Sequence, residues 1–163
     1  MRIIFKLTLL LIPSAVNAQQ LLLKNESVIF SFDVKNGKHA VLAKDTGNIY
    51  IVYRYGTTDS VEFEYPEKNK GSWKEFKYSY YLRGGGMQNE GMDLNNLYFI
   101  NNGYKYTVYD TYYAVGNKSE FGIKVTNLKT NKTVDIKGLR KTRKGRITDF
   151  RDNNLIETVE FDQ

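Results

Sequence analysis

The stretch N-I-Y-I-V-Y-R-Y-G-T-T-D-S-V-E-F-E-Y, Asn48 to Tyr65, decides the fold class. On both sides of Thr57-Thr58-Asp59 the residues alternate with period two, the pattern of two half-buried strands joined by a short loop. Folded about that loop, Tyr55 is expected to face Val61, Tyr53 to face Phe63 and Ile51 to face Tyr65. On the other face the same register sets Arg54 beside Glu62, a cross-strand ion pair contributing about 0.5 kcal/mol if exposed.

The same reading extends along the chain. Val28 to Lys35 places Phe30, Phe32 and Val34 on one face, and Asn36-Gly37 is a strong two-residue hairpin signal. That turn predicts Phe32 opposite Val41, Phe30 opposite Ala43 and Val34 opposite His39. Asn95 to Asn101 and Tyr104 to Tyr113 flank Asn102-Gly103, pairing Phe99 with Tyr106 and Leu97 with Val108. Phe121 to Leu128 and Thr133 to Ile136 form a further hairpin about Thr130-Asn131, with Val125 opposite Ile136. Trp73 to Arg83 and Leu155 to Phe161 read as two more strands, while Pro66 to Ser72 is a polar connection. No long stretch carries a 3.6-residue period. The expectation is an all-β fold, a single domain over 19–163. It is an antiparallel meander of about nine or ten strands, closing into a barrel or packing as a two-sheet sandwich to protect its edges.

Ahead of that domain, Met1 to Ala18 reads as a cleaved signal peptide. Arg2 and Lys6 are the positive region, the run around Leu7 to Ile12 is apolar, and Val16-Asn17-Ala18 ends on a small residue. The stretch is too short to span a bilayer and no second apolar run follows, so no transmembrane segment is expected. The expected location is periplasmic or secreted. The chain has no cysteine, which excludes disulfides, thiol catalysis and a lipobox anchor. Its one histidine, His39, leaves no multi-histidine metal site. Lys and Arg total 24 against 18 acids, a mildly basic balance that is unevenly placed.

Two segments stand out as candidate binding sites. Arg83-Gly84-Gly85-Gly86-Met87-Gln88-Asn89-Glu90-Gly91-Met92-Asp93 holds three adjacent glycines, whose order costs entropy and so marks unusual backbone angles or a close approach. As a binding loop it offers the glycine amides with Arg83, Asn89 and Asp93 as polar contacts. The structural alternative is a sharply bent crossover between sheets or at a barrel corner. The second segment, Lys137 to Arg146, carries Lys137, Arg140, Lys141, Arg143, Lys144 and Arg146. Such a cluster attracts anionic polymers. It lacks interleaved aromatics for base stacking, so the expected partner is a protein or an anionic envelope glycan, not nucleic acid. The plainer reading is a solvated loop between the last two strands.

Other residues point nowhere in particular. Tyr53, Tyr55, Tyr65 and Tyr106 share faces with apolar residues and read as core, while the remaining tyrosines are too many for one small core. His39 has no visible partner. Glu62, Glu64, Glu90, Asp93 and Asp110 show no spacing that singles out an acid–base pair. The sequence has no G-x-S-x-G, H-E-x-x-H, P-loop or EF-hand pattern, and no enzyme activity or cofactor is expected.

Three runs, Tyr50 to Gly56, Glu62 to Pro66 and Tyr78 to Gly86, followed by Asn89, Gly91, Asp93-Leu94-Asn95 and Gly103-Tyr104 to Tyr109-Asp110, resemble a group of small exported proteins of Gram-negative bacteria with no assigned function. The resemblance implies a bacterial envelope home and adds no chemistry. In size, export and strand pattern the chain is more distantly similar to periplasmic lysozyme inhibitors and to immunity proteins against wall-degrading toxins. The function expected from these readings is binding of a macromolecular partner, with inhibition of a wall hydrolase or toxin as its most concrete form. The alternative is a barrel-type carrier of a small ligand or glycan. Mass spectrometry of exported protein is expected to find Gln19 at the N-terminus; retention of Arg2 to Ala18 would refute the signal peptide.

Overall fold

Alternation becomes strands almost wherever it was read, in a computed structural model that describes residues 21–161. The expected signal peptide, 1–18, lies outside them. The strands are β1 (Glu26–Asp33), β2 (His39–Asp45), β3 (Ile51–Thr57), β4 (Ser60–Tyr65), β5 (Lys77–Arg83), β6 (Met92–Asn101), β7 (Tyr104–Tyr113), β8 (Lys118–Asn127), β9 (Thr133–Lys137), β10 (Lys144–Gly145) and β11 (Glu157–Thr158). They form two sheets, in the orders β10-β1-β2-β3-β4 and β11-β5-β6-β7-β8-β9. The architecture is a two-sheet β-sandwich and the strands do not close into a barrel.

Three features depart from the expected antiparallel meander, the first being that β10 returns from the C-terminal segment to pair with β1. β11 lies parallel to β5, and only Glu157 and Thr158 of the expected closing strand pair. Trp73 belongs to a 3-10 turn, Ser72–Glu75, so β5 begins at Lys77 instead. Trp73 is buried and donates its indole N–H to the Asn48 carbonyl at 3.0 Å.

Turn chemistry explains which registers were legible. Asn102 and Gly103 both take positive φ, 48° and 79°, and their two-residue turn pairs Phe99 with Tyr106 and Leu97 with Val108 as expected. At Asn36-Gly37 only Gly37 has positive φ. The Val34 N–H donates to Lys38 and the Gly37 N–H to Val34, which makes a three-residue loop. The register therefore differs from the expected one by one residue. Phe32 faces Ala40 and Phe30 faces Leu42, so Val41 and Ala43 move to the outer face. In β3–β4 the strands run on to Thr57 and Ser60, with a bulge at Tyr55/Gly56, so Tyr55 pairs with Phe63, Tyr53 with Tyr65 and Arg54 with Glu64. In β8–β9 a four-residue loop, closed by Asn127 N–H to the Lys132 carbonyl, pairs Val125 with Val134 and Ile123 with Ile136. The last two corrections are shifts by two, which leave each side chain on its expected face.

The sheets meet through aromatic rings. Phe63 and Tyr65 of β4 stack on Tyr106 and Phe99, with centroids 4.9 and 4.5 Å apart, and Phe99 and Tyr106 lie within 5° of parallel. Phe30, Phe32 and Phe121 form a second, edge-to-face group. Beside it the chain leaves β9, and Gly138 bridges to Val34 and joins the sheets along one side. A Cβ on Gly138 would sit 2.2 Å from the Phe121 ring and 2.9 Å from Phe32.

On the outer face of the first sheet Arg54 is 1% exposed. It donates to both oxygens of Glu26 at 2.6 and 2.8 Å, to Glu64 at 2.6 Å and to the Leu21 carbonyl at 3.1 Å. Glu62, its expected partner, instead pairs with Lys38 at 2.6 Å. Burial would push the Glu26 carboxyl up, but hydrogen bonds from Arg54, the Leu23 amide and Tyr50 outweigh it and hold the group below its ordinary value. This contribution is present at neutral pH and lost as pH falls through that depressed pKa.

Gly138→Ala is expected to destabilise by about 2 kcal/mol through overpacking of two buried rings. Gly37→Ala, which has open space but positive φ, should cost about 1 kcal/mol. Urea denaturation of both variants checks the order.

Candidate functional site

The glycine segment is the tip of a hairpin. Arg83 ends β5 and pairs with Met92 at the start of β6, so the chain folds back within one sheet and the expected crossover or barrel corner is corrected. The turn needs its glycines: Gly85 and Gly86 take φ of 90° and 60°, and Glu90 takes 48°. A 3-10 turn, Gly86–Asn89, fills the loop. The Asn89 side chain donates to the Gly84 carbonyl at 3.0 Å, and the Gly91 N–H to the Gly86 carbonyl at 2.7 Å. The Ala114 N–H donates to the Gly91 carbonyl at 2.8 Å, fastening the loop to the β7–β8 connection. The loop is therefore braced although its residues 84–90 are exposed.

Of the expected contacts, Arg83, Gly84, Gly85, Gly86 and Asn89 come together, and Asp93 does not. Arg83 lies against Tyr81, donating to its hydroxyl at 3.2 Å, and is 3.6 Å from Glu90. Asn89 braces the loop. Asp93 turns to the inner face of the sheet. The tip instead presents Met87, 71% exposed, and the β7–β8 connection presents Val115 at 56%. Sequence reasoning passed over both. An apolar residue among glycines and polar residues was the available signal at Met87.

Asp93 belongs to a polar cluster on the inner face of the second sheet. There Leu97, Phe99, Val108 and Tyr106 give way towards the loop end to Asn95, Asp93 and Asp110. Arg151 donates to Asn95 at 2.8 Å and to Asp93, and its guanidinium sits 4.8 Å from the Tyr80 ring centroid. Its Nε is buried with no hydrogen-bond partner among the described residues. Arg143 donates to Asp110 at 2.6 Å and lies over the rings of Phe30 and Phe121. Burial pushes the Asp110 carboxyl above its ordinary value, Arg143 pulls it down, and Asp93 adds to the rise.

The basic run is thus divided between surface and architecture. Lys137 ends β9, 3.4 Å from Glu120. Arg140 and Lys141 are exposed in a 3-10 turn, Arg140–Thr142. Arg143 points inward, Lys144 lies in β10 against Ser31 of β1, and Arg146 is exposed. The expected solvated loop is corrected: the segment contributes an edge strand and a buried-side cation.

Elsewhere His39 does have a partner, the Asp33 carboxylate at 2.6 Å across β1–β2. Tyr53 is buried, and Tyr55, Tyr65 and Tyr106 pack against the core as expected. Among the described residues no group of three or more histidine, aspartate or glutamate side chains could hold a metal ion, and no helix is long and apolar enough to cross a membrane. No family model matches this chain, nor does any curated protein or solved structure.

Arg143→Ala should destabilise by about 2 kcal/mol at pH 7, because it leaves buried Asp110 with only the Ile147 amide and the field of Arg146 to offset its charge, whereas exposed Arg140→Ala should change stability by about 0.5 kcal/mol or less. A carboxyl whose folded pKa is raised favours folding when protonated. The Arg143→Ala deficit should therefore shrink as pH falls through the carboxylate range. Urea midpoints at pH 7 and pH 4 test this.

Proposed function

We propose that this protein is an exported, non-enzymatic β-sandwich that inhibits or neutralises a macromolecular partner, in the manner of a wall-hydrolase inhibitor or an immunity protein. One observation carries the reading: the β5–β6 loop projects as a braced hairpin tip with an exposed methionine at its head. A preformed loop loses little entropy on binding, and an apolar head flanked by Arg83 and Glu90 suits insertion into a concave site. The export assignment rests on Met1 to Ala18. The partner is a protein or an anionic envelope glycan, the latter supported by the exposed Arg140, Lys141 and Arg146.

A small-ligand carrier has less behind it. The apolar cleft lined by Tyr53, Tyr55, Phe63, Tyr106, Ile123, Val125 and Ile136 has a volume of about 200 Å³. Ligand pockets ordinarily occupy roughly 300–1,000 Å³, and the more polar cleft lined by Trp73, Arg146, Asp149 and Phe150 stands at the bottom of that range, about 300 Å³.

The test is hydrolysis of dye-labelled peptidoglycan by an envelope extract, titrated with the protein beginning at Gln19. Inhibition is expected, and Met87→Asp should weaken it by about tenfold or more with the melting temperature unchanged. Equal inhibition by Met87→Asp and the parent would remove the loop from the mechanism; no effect of the parent would remove the inhibitor reading.

A further inference from the structure

At the end of the sandwich away from the glycine loop, β9 is an edge strand, with β8 on one side and no strand on the other among the described residues. The ladder shows which of its backbone groups are free. Asn127 bonds to Lys132, and Gly138 N–H bonds to the Phe121 carbonyl, so these are hydrogen-bonded pairs of the antiparallel register. Such pairs alternate along a ladder. Val134 and Ile136 therefore bond to β8, while Thr133 and Asp135 aim their N–H and C=O groups at the open edge; from Lys137 onward that edge is closed by the Val34–Gly138 bridge and the Leu139 N–H to the Asp33 carbonyl.

The side chains on the inner face of β9 are Val134 and Ile136. Ile136 forms one wall of the apolar cleft of about 200 Å³, and Val134 beside it is 62% exposed. An unpaired edge next to an apolar cleft is the arrangement by which a sheet accepts an added strand. Positive charge stands at both ends of it. Lys129 and Lys132 precede β9, and Lys137, Arg140 and Lys141 end or follow it. The nearby acids are already engaged: Asp135 accepts a hydrogen bond from Tyr109 at 2.9 Å, and Glu120 pairs with Lys118 and Lys137.

We propose that β9 is a strand-addition site for an extended peptide with apolar residues at alternate positions and acidic residues at both ends. The apolar side chains enter the cleft beside Ile136 and Val134, the backbone pairs with Thr133 and Asp135, and the acidic ends meet the lysines. A second copy of this chain is the poorer occupant. Antiparallel pairing of two β9 strands sets Lys129 and Lys132 of one copy beside Lys137, Arg140 and Lys141 of the other, and like charges repel. The site does not rest on the glycine loop, which lies at the other end of β6.

The probe is a fluorescein-labelled synthetic peptide with alternating valine and threonine and two glutamates at each end, followed by fluorescence anisotropy. Wild type should bind it. Asp135→Pro removes one outward N–H without touching a bond to β8, and should weaken binding about tenfold or more. Asp135→Asn keeps that N–H and an acceptor for Tyr109, and should bind like wild type. Val134→Lys, a change to an exposed side chain alone, should also weaken binding about tenfold. Met87→Asp should leave it unchanged. Equal binding by Asp135→Pro and Val134→Lys, or no binding by wild type, would overturn the proposal. So would sedimentation showing a wild-type dimer that Asp135→Pro dissociates, since the occupant would then be a second copy.

Discussion

Asp110 lies on the inner face of a β-sheet, in line with Val108 and Tyr106, where an apolar residue would ordinarily sit, and the surrounding structure is arranged to tolerate it. Strands β6, β7 and β8 are ten residues long against seven in β2 and β3, and the surplus length carries Asp93, Asn95 and Asp110 inward. A carboxylate left there without its cation would cost about 2 kcal/mol. The segment after β9 supplies the compensation, with Arg143 on Asp110 and Arg151 on Asp93 and Asn95. Ile147, Phe150 and Ile156 of the same segment extend the apolar core. The segment 138–161, poor in regular structure, is thereby held by charge on one side and packing on the other.

A second polar cluster anchors the opposite end of the chain. Arg54, Glu26, Glu64 and Tyr50 form a network on the outer face of the first sheet, and Arg54 also binds the Leu21 carbonyl. A buried ion pair adds little net stability over an apolar replacement, but removing one partner leaves an uncompensated buried charge. In a chain without cysteine, two such clusters fasten the segments that precede β1 and follow β9 with no covalent cross-link. Their pH responses oppose each other: the Glu26 carboxyl is depressed and the Asp110 carboxyl raised.

These anchors leave the two ends of the sandwich with different surfaces. At one end the β5–β6 loop, tied through Gly91 to Ala114, is rigid, glycine-rich and headed by Met87. At the other the sheets part around an apolar cleft beside an unpaired edge strand.

By itself the sequence determined the strand-rich fold class, the bounds of β4 and β7 and the Asn102-Gly103 turn, because period-two alternation and paired positive-φ residues act locally. It also marked the glycine loop as unusual backbone. Only the tertiary structure decided three things. It set the β1–β2 register, since Asn36-Gly37 suits both a two-residue turn and the three-residue loop that puts Ala40 and Leu42 against Phe30 and Phe32. It chose a sandwich over a barrel, because closure depends on how β10, Gly138 and β11 meet strands far away in sequence. And it turned Asp93, Arg143 and His39 from apparent free groups into partners of Arg151, Asp110 and Asp33. Charge and polarity are readable residue by residue, but whether a charge meets solvent or its opposite is a matter of where distant segments pack.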